Sequence, residues 1–169
     1  HTMTVYFKSN SAGTYSTKLK IEEMLDACIA DGLCGSVDFD DDGFRDIWNN
    51  PTDAIGSVAN YLAKHGWQRD GQVTLAVEGE AIPEEVFNVS LKPSKSVGEL
   101  RRLGLREASL GPEEMVSPMR LEGKEGDEFW LGLKNFHVIT RYNHSKLYAM
   151  AVYQLSEDLR EAAAELASR

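Results

Sequence analysis

Residues 38–53 read DFDDDGFRDIWNNPTD, with aspartates at the first, third and fifth positions and a glycine at the sixth. In an EF-hand-type loop alternate side chains point inward, so oxygens at positions 1, 3 and 5 converge while the glycine permits a sharp turn. Those positions are Asp38, Asp40, Asp42 and Gly43. Position 7 serves through its backbone carbonyl, so Phe44 fits there despite its apolar side chain. Asp46, at position 9, can bind directly or through water. At position 12, where a bidentate Glu is expected, Asn49 offers one neutral oxygen. The next carboxylate is Asp53, and Pro51 and Thr52 read as the entry to a helix. A slightly lengthened loop therefore closes on Asp53 at that helix N-terminus. Aspartates this close repel one another unless a cation neutralises them, which points to a hard divalent ion, calcium. A solvated acidic turn is the competing reading of such an Asp-Gly segment.

Apolar spacing fills in the elements on either side. Ile21, Met24, Leu25, Cys28 and Ile29 recur at helical intervals, which predicts a helix from Thr17 to Ala30 with Gly32 as its stop. Ile55, Val58, Ala59 and Leu62 predict a second helix over residues 52–65, ended by Gly66. Helix, acidic loop, helix is the order a calcium hand requires. The N-terminal TVYF of residues 4–7 reads as a short strand.

The middle of the chain changes character. Segments 73–77, 85–91 and 115–121 are β-branched or alternating and separated by turn residues, which predicts strands. Ser96 and Glu99 form a capping-box pattern opening a short helix. Residues 128–133 and 136–143 read as a strand pair around Lys134 and Asn135. Residues 145–168 then form one long helix without Gly or Pro. Its stripe of Leu147, Met150, Ala151, Leu155, Leu159, Ala162, Ala163 and Leu166 is expected to bury against the helix of residues 52–65. The expected organisation is an N-terminal segment (1–35), a calcium loop with a core helix (36–69), a small β-rich lobe (70–142) and a C-terminal core helix (143–169).

The 169 residues suffice for a buried core, and 42% apolar content is that of a globular protein. No apolar run reaches the length of a membrane span. A net charge of −9 without a basic patch argues against a nucleic-acid partner. Cys28 and Cys34 are too few for a disulfide scaffold, and whether they pair stays open. The first three residues, HTM, show no signal-peptide pattern.

Two stretches carry a family likeness: VDFDDDGFRDIWNNPTDAIGSVANYLAKHGW (37–67) and FWLGLKNFHVITRYNHSKLYAMAVYQL (129–155). Together they resemble the C-terminal half of the lytic murein transglycosylase B family, over roughly residues 36–168. The resemblance implies an α+β fold: a helical, lysozyme-like core fragment with an EF-hand-type calcium loop and a small antiparallel β lobe. It implies peptidoglycan glycan strands as partner, cut between N-acetylmuramic acid and N-acetylglucosamine to leave 1,6-anhydro ends. It also implies a periplasmic or cell-envelope location. Under it the calcium ligands are Asp38, Asp40, Asp42, the Phe44 carbonyl and, completing the site, Asp53. Its RYN element falls on Arg141, Tyr142 and Asn143, which with Tyr148 would line the saccharide cleft. Asn143 can hydrogen-bond an acetamido or hydroxyl group, and tyrosine rings suit a sugar face. Without the family, Asn143 reads simply as a helix N-cap.

The family's catalytic glutamate sits in a Glu-Ser element upstream of the calcium loop, followed by a QFMPSS-like segment. Neither element occurs in this sequence. Glu22 and Glu23 lie in a region outside the resemblance and read as surface residues. The expectation is a calcium-binding part of a transglycosylase that is not catalytic alone. A replacement acid in residues 1–35, or a purely structural calcium domain, are the competing readings.

Overall fold

The computed structural model describes residues 2–8, 14–20, 36–106 and 109–168. The chain opens with an antiparallel hairpin of β1 (Thr2–Lys8) and β2 (Thr14–Lys20), registered from Thr2 opposite Lys20 to Lys8 opposite Thr14. The expected strand at residues 4–7 lies within β1. The expected helical start at Thr17 is overturned, because Thr17–Lys20 pair with β1. Tyr15, Thr17 and Leu19 alternate with polar residues, a two-residue period that a helix-spacing search passes over. The rest of that expected helix, with Glu22, Glu23 and Cys28, lies outside the described residues, as does Cys34.

Helix α1 (Pro51–Lys64) follows the acidic loop. Asn50 caps it by accepting the Thr52 amide, Pro51 occupies the first turn where no N–H is needed, and Gly66 reverses the chain beyond it at φ +87°.

A four-stranded antiparallel sheet comes next. It comprises β3 (Thr74–Val77), β4 (Lys95–Ser96), β5 (Met115–Gly123) and β6 (Gly126–Gly132), in spatial order β3-β6-β5-β4. Ser96 and Glu99 complete the expected capping box at the start of α2 (Val97–Arg102), with reciprocal bonds of 3.1 and 2.9 Å. Segment 85–91 is not a strand. Glu84–Val86 forms a single 3-10 turn, and Asn88 takes φ +60°. The Asn88 side chain then behaves like a strand neighbour: its Oδ1 accepts the Arg120 amide at 3.2 Å and its Nδ2 donates to the Arg120 carbonyl at 3.1 Å.

Residues 136–143 are also not a strand. They belong to helix α3 (Lys134–Tyr142), and α4 (Lys146–Ala167) follows it, capped by Ser145 rather than Asn143. The run Val138-Ile139-Thr140 has strand propensity, but packing overrides it. Phe136 is fully buried and lies so close to Gly132 that a Cβ there would stand 2.7 Å from its Cδ1. Asn135, also fully buried, accepts the Gln68 amide and donates to the carbonyls of Gln68 and Gly71, each at 2.8 Å. These bonds pin the turn after α1 to the first turn of α3.

Both faces of the sheet are covered, which explains the unbroken burial of Val116–Met119 in β5. On one side Val116 and Leu131 join Ile82, Phe87, Val97, Leu100, Leu105 and Leu133. On the other, Met119 and Leu121 join Phe136 and Ile139 of α3 and Tyr148, Ala149 and Met150 of α4. No buried member of this second cluster comes from α1, so the expected seam between α1 and the long helix is replaced by one with α3 and the sheet. Burial along α4 stops early. Leu155, Leu159 and Leu166 are 40%, 62% and 70% exposed.

Candidate functional site

The acidic loop folds onto α1 through its own polar groups. Asp38 accepts the amides of Asp42 (3.1 Å) and Gly43 (2.9 Å), closing a turn in which Asp41 and Gly43 adopt φ values of +58° and +92°. Asp53, in the first turn of α1, is completely buried. One of its oxygens accepts the Phe39 amide at 2.7 Å and the other the Asp46 amide at 2.9 Å. Each carboxylate oxygen keeps a further lone pair. Val37 donates to Ser57 Oγ at 2.9 Å, and the Phe39 ring rests where a side chain on Gly56 would be.

Ligand atoms of Asp38, Asp40 and Asp53 all lie within 4.8 Å of one another. Three carboxylates, one wholly removed from water, form an all-oxygen donor set, and such a set fits a hard divalent cation. Asp42 is outside this group of three, its Oδ1 accepting the Phe44 amide at 2.8 Å. Phe44 is 73% exposed. Asp46 accepts the amides of Trp48 and Asn49 and the side-chain amide of Asn49. Those bonds, the Asn49 side chain first, hold the Asp46 carboxyl below its ordinary range. Asn49 therefore acts as a donor to the loop, and Asn50 donates to Asp40 at 2.9 Å.

A second cluster gathers aromatic rings from three helices. Tyr148 lies 5.9 Å from Tyr142, Tyr142 meets Tyr61 edge-on at 5.5 Å, and Tyr61 stacks on His65 at 3.9 Å. Burial pushes the Tyr148 hydroxyl up to about 12, with Tyr61 adding to it. Burial, then Tyr148 and Tyr61, raises Tyr142 in the same direction. Both phenols stay protonated at neutral pH and able to donate. Among the described residues the Tyr142 hydroxyl and His65 Nε2 are buried without a hydrogen-bond partner. Asn143 is exposed at the end of α3, its carbonyl accepting the Ser145 amide at 2.7 Å. The structure thus groups Tyr142 and Tyr148 and sets Asn143 beside them on the chain. Tyr61 and His65 were not expected at this site. Their signal in the sequence is an aromatic pair four residues apart on one helix.

The Transglycosylase SLT domain family matches residues 33–157. The chain belongs to the lytic murein transglycosylase B family. Membrane-bound lytic murein transglycosylase B of Escherichia coli K12 is 43% identical over 125 residues, which are 72% of this chain and 33% of that protein. Soluble lytic transglycosylase SltB1 of Pseudomonas aeruginosa superposes with a TM-score of 0.70 at 43% identity, covering 82% of this chain and 45% of that one. Escherichia coli Slt35, solved in complex with calcium, superposes at 0.66 with 42% identity over 75% of this chain and 40% of that one. The transglycosylase relatives are thus matched over less than half of their length. No described helix is long and apolar enough to cross a membrane.

Proposed function

We propose that this chain supplies the calcium-binding and saccharide-contacting part of a peptidoglycan lytic transglycosylase acting at the cell envelope, and that it does not cut glycan strands by itself. The observation that carries this reading is the convergence of Asp38, Asp40 and Asp53 in a chain of this family. Calcium, held by these three with Asp42 and the Phe44 carbonyl completing the shell, neutralises the acidic loop and locks it to α1. A calcium complex of a related enzyme supports the choice of ion. Tyr142, Asn143 and Tyr148 contact the sugar rings, and the murein of the curated relative's name supports that substrate class.

Non-hydrolytic cleavage requires an acid that first protonates the glycosidic oxygen and then accepts a proton as the muramic 6-hydroxyl attacks. Such a group needs a raised pKa in a partly desolvated cleft. The sequence holds neither the Glu-Ser element nor the QFMPSS-like segment that provides it in the family. On this reading the acid is supplied by a catalytic half that carries those elements. Incubating the purified, calcium-loaded chain with sacculi and analysing soluble products by mass spectrometry should show no anhydro-muropeptides, whereas their release would overturn the non-catalytic reading. Titration with N-acetylglucosamine tetramer should shift the amide resonances of Tyr142 and Asn143. Unmoved resonances would remove the saccharide role.

A further inference from the structure

We infer that His65 is a further polar contact of the saccharide cleft, its Nε2, buried in the free chain, accepting a hydrogen bond that links it through one ordered water to an amide N–H or hydroxyl of a bound N-acetylated sugar. The inference rests on the saccharide reading of the tyrosine cluster and extends it to the end of α1.

The helix terminus sets the proton positions on His65. Its Nδ1 lies 2.8 Å from the Tyr61 carbonyl oxygen. A carbonyl oxygen only accepts, so Nδ1 carries the hydrogen and Nε2 of the neutral ring is a bare acceptor. The ring cannot easily turn away, because it stacks on Tyr61 at 3.9 Å and its own amide caps α1 on the carbonyls of Tyr61 and Leu62. Among the described residues no donor meets Nε2, and the hydroxyl of Tyr142, whose ring meets Tyr61 edge-on, is likewise unmet. Two orphaned polar atoms bordering one aromatic row are satisfied by an ordered water or by a ligand that brings its own donors. An N-acetylated sugar brings an amide N–H, an amide carbonyl and hydroxyls, and a ring face for the tyrosines. A site that presents a lone acceptor discriminates against ligands that lack the matching donor.

The calcium-loaded chain is titrated with N-acetylglucosamine tetramer by calorimetry, comparing wild type, His65→Phe and His65→Gln. Phenylalanine keeps a ring against Tyr61 but removes the acceptor, whereas the glutamine oxygen can stand near the position of Nε2. His65→Phe should bind about five- to tenfold more weakly, as expected for one net hydrogen bond, and His65→Gln within about threefold of wild type. Equal binding by wild type and His65→Phe, or an equal loss in both variants, overturns the role of Nε2. A measurement on the wild type stands independently of how the variants fold: the Nε2 resonance in a long-range proton–nitrogen spectrum should move upfield when the tetramer is added. An unmoved Nε2 resonance while Tyr142 and Asn143 shift leaves the saccharide reading intact and removes His65 from it. No binding by wild type overturns the saccharide reading and this inference with it.

Discussion

The buried carboxylate of Asp53 accepts the Phe39 amide at 2.7 Å, so the first turn of α1 is bonded directly to the start of the acidic loop. A second bond, from the Asp46 amide at 2.9 Å, ties the far side of the loop to the same side chain. Asp53 is therefore both a helix N-terminal acid and the clasp of the candidate cation site. In Asp53→Asn the side-chain NH2 would face an amide that needs an acceptor. The variant should lose about 1–3 kcal/mol by urea denaturation, the cost of one unmet buried donor.

Calcium should raise the melting temperature of the wild type in proportion to the logarithm of its concentration. At a hundredfold excess over Kd the gain is about 2.7 kcal/mol, provided only the folded state binds. Asp38→Ala, Asp40→Ala and Asp53→Asn should each abolish the rise. A melting curve unchanged between calcium and EDTA would show that the loop is no metal site.

Asn135 satisfies three backbone groups of the turn after α1 while being wholly buried. Asn135→Ala strands those groups and should cost about 2–4 kcal/mol by thermal or urea unfolding. Asn135→Asp should cost at least as much, because a carboxylate can only accept and two of the three partners are carbonyls. An Asp variant as stable as wild type would mean that this clamp is not formed.

How much of this was visible beforehand depends on how local each signal is. The meeting of the Asp38, Asp40 and Asp53 carboxylates is legible because their spacing is written within one loop and its following turn, and the capping box of Ser96 and Glu99 for the same reason. Helix α3 is not legible in the sequence because its β-branched run is local while its cause is distant: Phe136 sits on Gly132 and Asn135 reaches residues 68–71. Of the stripe expected on α4 only Met150 and Ala151 are buried, beside Tyr148 and Ala149, while Leu147 at its start is 46% exposed. Periodicity names an apolar face but not how much protein there is to cover it. The grouping of Tyr61 and His65 with Tyr142 is not legible in the sequence, because the tertiary fold brings Tyr142 to them.

The uneven burial of α4 separates two leucine-sized side chains on one helix. Met150 is 2% exposed within the cluster of Phe136 and Ile139, whereas Leu159 is 62% exposed. Met150→Ala should cost about 2–4 kcal/mol, as for other large-to-small core changes. Leu159→Ala should stay within about 0.5 kcal/mol of wild type. Equal losses in urea denaturation would show that the distal half of the helix is packed after all.

Tyr148 gives the fold an alkaline limit. Its hydroxyl ionises near 10 in an unfolded chain and at about 12 in the folded one, since burial disfavours the phenolate. A group whose folded pKa is raised contributes its full share of stability below the unfolded pKa. That share is lost as pH climbs from about 10 to about 12, where the unfolded chain sheds a proton that the folded chain still holds. Tyr142 is shifted the same way and steepens the loss. For Tyr148 alone the decline amounts to roughly 2–3 kcal/mol by pH 12. Unfolding free energies measured in urea between pH 8 and pH 12 should fall over this window in the wild type. Tyr148→Phe, which has no proton to lose, should show a shallower slope, and parallel slopes in the two proteins would mean that the Tyr148 hydroxyl is not buried in the folded state.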